Sequence, residues 1–393
     1  MLTSLAFVFL TGLGLGWLAA RLRLPGLLGM LLAGIVLGPY VWNLLDGSLL
    51  GISTDLRQLA LIIILTRAGL SLNLQDLKKV GRPAALMCFV PACFEMAGMI
   101  LAAPRLLGVS VLEAAILSAI VAAVSPAVIV PKMLRLMEEG YGTAHSIPQL
   151  ILAGASVDDV FVIVMFTAFT SLAQGGAVSP ATFVQIPVSI LTGIVGGAVA
   201  GIAFGAFYRR FHARDSAKVV TLLSVSFLLV ALEQVLKGNF PFSGLLAVMS
   251  CGIAVRSHRP EIARRLSVKY SKLWVAAEVM LFVLVGATVD IGYAAAAGAS
   301  AVAAIFCALL FRMAGVFLCL LRTELSLQER VFCMLAYTPK ATVQAAIGSI
   351  PLTMGLACGQ IALTVAVLAI LITAPLGAFA VERTYRRLLP HET

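Results

Sequence analysis

Thirteen apolar runs divide this chain, at residues 4–20, 26–44, 57–72, 83–104, 110–131, 147–174, 180–207, 218–236, 242–255, 272–289, 294–321, 329–350 and 357–381. Most approach the roughly 20 residues that an α-helix needs to cross a hydrocarbon core of about 30 Å. Several are interrupted by Gly or Pro, and the ninth is short. The composition agrees, with 61% hydrophobic and 12% charged residues over 393. These values exclude an ordinary soluble domain, and no polar stretch is long enough to form one. Arg21 and Arg23 follow the first apolar run rather than precede it. The segment 4–20 therefore reads as a retained helix and not as a cleaved signal. The expected fold is an all-α polytopic membrane protein of about 13 transmembrane helices.

The formal net charge of +10 is spread over many short loops, which argues for membrane topology and against nucleic acid as a partner. If the N-terminus lies outside, 22 of the 28 basic residues fall on the cytoplasmic side. Only Arg57, Arg105 and Lys237 are then external, and Arg67, Arg312 and Lys340 lie within the membrane. Missing one span would scramble this alternation, so the count and the orientation support each other. The C-terminus then lies in the cytoplasm. The seven cysteines fall in or near apolar runs without paired metal spacing, as small packing residues do. The four histidines lie in loops or the tail. No metal, cofactor or phosphate-binding motif is expected, and no constellation of Ser, His or Cys supports an enzyme.

The chain also repeats itself. Leu24-Pro25 matches Phe240-Pro241, Gly34 matches Gly252, Arg67-Ala68-Gly69-Leu70 takes the place of Val285-Gly286-Ala287-Thr288, and Ser125-Pro126 matches Thr338-Pro339, at offsets of 213–218. A register this steady marks two copies: 1–179, then a linking helix within 180–214, then 215–393. Six helices and one linking helix place the copies in opposite orientations, the inverted repeat common among secondary transporters.

The fifth and twelfth runs carry matched proline steps, at Pro126 and Pro339. Proline removes a donor and clashes with the preceding turn, so two crossed broken helices are expected near the bilayer midplane. The adjacent carboxylates Asp158 and Asp159 lie at the same level. Counting from the nearest cytoplasmic edge, Arg67, Glu95, Asp158, Asp159, Arg312 and Lys340 all sit about 15–20 Å deep. Uncompensated, each costs at least about 2.5–3.5 kcal/mol on insertion scales, so they must face one another or water. Na+ and Li+ prefer oxygen ligands. Asp159, Asp158, Ser125, Ser156, Thr342 and the carbonyls freed at the breaks can supply them. Lys340 can pair with one aspartate when no ion is bound, so that the acids and the lysine titrate together. Glu95 and Arg312 have the character of a fixed structural pair.

The stretches Leu65-Thr66-Arg67-Ala68-Gly69-Leu70, Ser125-Pro126-Ala127-Val128, Ser156-Val157-Asp158-Asp159 and Pro339-Lys340-Ala341-Thr342-Val343-Gln344 resemble the monovalent cation:proton antiporters of the NhaA/NapA type, and most closely their NHA branch. The resemblance spans essentially the whole chain. It implies a homodimer in a bacterial inner membrane, with a dimerisation domain and a mobile core of about 57–174 and 270–350. It implies exchange of Na+ or Li+ for H+ by an elevator-like movement. In it Asp159 is the principal carrier, Asp158 its partner paired with Lys340, and Glu95–Arg312 a charged pair. Membrane lipid is the other expected partner.

Three alternatives stay open at the level of sequence. A K+/H+ antiporter and a Na+-coupled organic-anion symporter keep the fold. A cation channel belongs to another class, but mixed acids and bases on crossed helices suit alternating access better than a pore lined by rings of like groups.

Overall fold

The computed structural model describes residues 1–22, 24–71, 81–174, 180–211, 213–236 and 240–391; for residues 127, 131, 156, 160, 180–187 and 190 it describes the backbone alone. All regular structure among them is helical, apart from one isolated bridge between Tyr141 and His391. In chain order the helices are α1 Leu2–Arg21, α2 Gly26–Leu37, α3 Gly47–Gly51, α4 Ser53–Ser71, α5 Arg82–Met87, α6 Val90–Leu107, α7 Val111–Ala122, α8 Pro126–Glu138 and α9 Ile147–Gln174. They continue as α10 Pro180–Arg210, α11 Asp215–Leu236, α12 Gly244–His258, α13 Pro260–Ala287, α14 Ile291–Cys319, α15 Leu327–Ala336, α16 Thr342–Ile347, α17 Ile350–Thr353 and α18 Gly359–Leu388. Eight helical stretches among the described residues are long and apolar enough to cross a membrane: α1, α5 with α6, α9, most of α10, α11, α13, α14 and α18. The apolar helices α2, α7 and α12 are shorter.

The apolar runs mark where helices lie better than where they end. The run at 272–289 is the inner part of α13, which begins at Pro260 and carries Glu261, Arg264, Arg265 and Lys269 before the apolar part. The runs at 110–131 and 329–350 each fall into pieces. α7 opens on a capping box, in which Ser110 and Glu113 satisfy each other's backbone N–H. It stops at Ala122, and the chain is extended at Ala123 and Ser125 before Pro126 opens α8. A residue before proline avoids helical geometry, which sets the position of this break. α15 opens on the equivalent box, Ser326 with Glu329, and stops at Ala336. Thr338-Pro339-Lys340 is non-helical, and α16 begins at Thr342.

The chain forms two compact units. The first comprises 1–54, 75–173 and 279–393, and the second 55–74 and 174–278. These units follow packing contacts alone: they group 1–54 and 351–393 with most of the core of about 57–174 and 270–350 that the resemblance implies, and place most of α4 in the second unit. In the second unit, α10 packs closely on α12 through small residues. A Cβ at Gly197 or Gly201 would run into the Ala247 or Cys251 carbonyl, the close approach that small residues permit between membrane helices. Thr66 and Ser226 hydroxyls meet at 3.2 Å inside it.

In the first unit, α6 lies along α14. Gly98 receives Phe311, and Gly315 receives Phe94, so that an added Cβ would sit 2.7 Å from the Phe311 ring and 2.9 Å from Phe94 Cβ. Glu95 and Arg312 lie beside these two fittings and are fully buried. The far end of α8 is tied to α18, with Lys132 and Arg135 reaching Glu382 at 3.3 and 3.0 Å. Tyr141 stacks edge-on against Tyr385 at 4.9 Å, and the Gly142 N–H donates to Pro390 O at 2.8 Å. The start of α15 is held by His145, whose Nδ1 lies 2.7 Å from Glu329 Oε1.

Candidate functional site

The two breaks meet. The Ser125 N–H donates to the Pro339 carbonyl at 2.8 Å. Each break exposes backbone groups that a continuous helix would have paired, and side chains from α9, α14, α16 and α18 take them up. The Val124 N–H donates to Asp158 Oδ2 at 2.9 Å. Arg312 Nε donates to Tyr337 O at 2.6 Å, and Arg312 Nη1 donates to Ala122 O. Gln344 Nε2 donates to Val121 O and Ala123 O at 3.3 and 2.9 Å. The Lys340 N–H donates to Thr373 Oγ1 at 2.9 Å.

The charged side chains form one buried network. Arg312 bridges two acids, with Nη1 2.6 Å from Glu95 Oε2 and Nη2 2.8 Å from Asp158 Oδ2. Lys340 Nζ lies 2.6 Å from the same Glu95 oxygen. Glu95, Asp158, Arg312 and Lys340 are all fully buried. A guanidinium suits this place because its planar fork can serve several acceptors at once.

Asp159 is placed differently. It is partly exposed, and among the described residues its Oδ1 is a buried atom without a hydrogen-bond partner. Glu95 Oε1, Asp158 Oδ1, Ser125 Oγ, Gln344 Oε1 and Tyr337 Oη are likewise buried and without partners. Native structures rarely leave such groups bare without water or an ion to serve them. Three carboxylates (Glu95, Asp158, Asp159) share the site with two basic side chains (Arg312, Lys340). With all ionised, the cluster carries one net negative charge. A bound proton or one monovalent cation neutralises it.

The pairing differs from the sequence expectation in one respect. Lys340 was expected on an aspartate, but it contacts Glu95, and Arg312 contacts Asp158. The reason is geometric: Lys340 leaves the second break toward α6, and Asp158 is already taken by Arg312 and the Val124 N–H. Glu95 and Arg312 do meet, though as part of a larger network and not as an isolated pair. Ser125 caps α8 by position without a side-chain cap. Thr342 is buried in the first turn of α16. The Ser156 side chain lies outside the described residues. Pro126 opens α8, and Pro339 supplies the carbonyl that joins the breaks. Arg67 belongs to the second unit, where Glu278 is the acid within its electrostatic reach.

Three participants were given no role by the sequence: Gln344, Thr373 and Tyr337. Gln344 is a polar residue in an apolar run, which is a visible mark. Thr373 and the Tyr337 carbonyl carry none, since helix threonines commonly bond their own backbone, as Thr373 also does to Ala369 O at 2.7 Å. Gly154, one turn before Asp158, makes room for Tyr337. A Cβ there would overlap the tyrosine hydroxyl.

Residues 5–386 match the family described as "Sodium/hydrogen exchanger, transmembrane". Human sodium/hydrogen exchanger 9B2 is 33% identical over 404 residues, covering 96% of this chain and 72% of the human protein. Human sodium/hydrogen exchanger 9B1 is 31% identical, covering 90% of this chain and 70% of its own length. Among solved structures, the sodium proton antiporter MjNhaP1 of Methanocaldococcus jannaschii superposes with a TM-score of 0.84 over 98% of both chains at 19% identity. That last likeness speaks to the fold alone. On the extent of these matches the chain is a multi-pass membrane protein of the sodium/hydrogen exchanger family, a monovalent cation:proton antiporter.

Proposed function

We propose that this antiporter exchanges Na+ or Li+ for H+ by alternating access at the crossed breaks, with Asp159 as the carboxylate that holds either the cation or the proton. The observation that carries the reading is the charge count of the buried cluster. Arg312 and Lys340 occupy Glu95 and Asp158, and Asp159 is left with a bare oxygen. Asp158, Ser125, Thr342 and Ser156 complete the oxygen set in this reading, and no cofactor takes part. The names of the relatives support sodium as the cation. The same relatives support placing the chain in the NHA branch of the NhaA/NapA-type antiporters. With that placement come thirteen crossings, two inverted six-helix repeats, a homodimer and an elevator-like movement; the N-terminus outside is the orientation that the loop charges favour. The function is transport and not enzymatic conversion.

The test uses proteoliposomes with an acid interior and a proton-sensitive dye inside. Na+ or Li+ added outside should collapse the gradient with the wild type and not with Asp159→Asn. A response to K+ alone would replace the sodium reading with a potassium one. Exchange that survives in Asp159→Asn would remove Asp159 as the carrier.

A further inference from the structure

The backbone of residues 121–125 is satisfied almost group by group from outside its own helix. The Val124 N–H goes to Asp158, the Ser125 N–H to Pro339 O, and Ala122 O takes Arg312. Two further carbonyls, Val121 and Ala123, both go to one neutral side chain, Gln344 of α16. Carbonyl oxygens only accept, so the amide nitrogen must face them and Oε1 must face away. That oxygen is buried and has no partner among the described residues. The residue itself is fully buried. Nothing in the antiport chemistry derived so far uses it.

We propose that Gln344 is a positioning residue of the cation/proton exchange. It fixes the register of the first break so that the Val124 N–H meets Asp158 and Ala122 O meets Arg312, which leaves Asp159 as the exchangeable carboxylate. The proposal rests on the assignment of Asp159 as the carrier. The residue type follows from the charge count. A lysine or arginine here would add a third cation and cancel the one negative charge that calls for a proton or metal ion. A carboxylate would set an acceptor against two carbonyl acceptors. A glutamine gives two donated bonds from one atom and leaves the charge unchanged. The titratable and charged groups around the breaks are Glu95 from α6, Asp158 and Asp159 from α9, Arg312 from α14, Tyr337 at the end of α15 and Lys340 of the second break.

The experiment measures the apparent KM for Na+ and the pH profile of exchange in proteoliposomes for wild type, Gln344→Met, Gln344→Glu and Asp159→Asn. Gln344→Met keeps the volume and loses both bonds. It should raise the apparent KM by roughly tenfold or more, as removal of an orienting partner of an ion ligand does, and should displace the pH profile. Gln344→Glu should approach the wild-type KM at acid pH, where its protonated carboxyl can donate to one carbonyl, and should depart from it as pH rises. A wild-type KM and pH profile in Gln344→Met, whatever its maximal rate or thermal midpoint, would overturn the proposal. If Gln344→Met does not fold, a KM ratio of Gln344→Glu to wild type that stays constant with pH would overturn it. Exchange by Asp159→Asn would bring down the carrier assignment and this proposal together. An inactive Asp159→Asn beside an unaffected Gln344→Met would remove Gln344 alone.

Discussion

Arg312 donates to four acceptors: Glu95, Asp158, the Tyr337 carbonyl and the Ala122 carbonyl. Lys340 Nζ serves Glu95. The two cations are therefore unequal. Removing Arg312 leaves Asp158 with only the Val124 N–H among the described residues, and takes the guanidinium donor from two carbonyls. Breaking a buried pair by deleting one partner costs about 3–5 kcal/mol. Removing Lys340 leaves Glu95 with its Arg312 bond. Arg312→Ala should therefore lower the thermal midpoint in detergent well below that of Lys340→Ala. Equal midpoints would mean that the network does not depend on the guanidinium. Lys340→Ala should instead show its effect on the pH profile of transport, since it removes one of two charges that balance three carboxylates.

At the scale of elements, the breaks organise the site, and their packing makes separate demands. α9 passes Tyr337 at Gly154, where the tyrosine hydroxyl occupies the space of a Cβ. Gly154→Ala should impair both folding yield and exchange, and Tyr337→Phe should restore part of each by removing the overlapping oxygen. No recovery in the double variant would show that the two positions are not coupled. α15 is fixed at its start by Glu329, which accepts from the Ser326 N–H at 2.7 Å and pairs with His145 at 2.7 Å. Glu329→Ala loses a cap and a pair and should destabilise the protein by about 1–2 kcal/mol, seen as a lower thermal midpoint than that of His145→Ala. The proline steps made both breaks legible in sequence, because Pro126 and Pro339 act through local sterics. The caps Ser110–Glu113 and Ser326–Glu329 are local too. The pairing of Lys340 with Glu95 was not legible. Depth along a helix can be counted from residues, but the rotation of each helix about its axis is set by packing. Here that rotation follows from Gly98 and Gly315 receiving Phe311 and Phe94, a fit between residues more than 200 apart in the chain. Gln344 was visible as a polar residue in an apolar run, whereas its two carbonyl partners depend on the other break.

For the whole molecule, the charge count sets a stoichiometry. Two acids and one lysine, all free to titrate, would allow two protons for each cation and an electrogenic cycle. The network leaves fewer groups free. Asp158 is occupied by Arg312 and by the Val124 N–H. Glu95 is occupied by Arg312 and Lys340. Releasing a proton from any of these groups, or binding one, would break a buried ion pair. Asp159 can change partners without that cost. On the proposed assignment of Asp159, the cluster alternates between one proton and one monovalent cation, each of which restores neutrality. A neutral site also avoids the penalty of carrying charge through the low-dielectric core. Exchange should therefore be one for one and electroneutral. In proteoliposomes with no proton gradient, an imposed potassium diffusion potential of either sign should leave the initial rate of 22Na+ uptake unchanged. An inside-negative potential that accelerates uptake would mean that net positive charge enters with the cation. A potential of the opposite sign that accelerates it would mean that more than one proton leaves for each cation, and that Lys340 or Asp158 gives up its partner during the cycle.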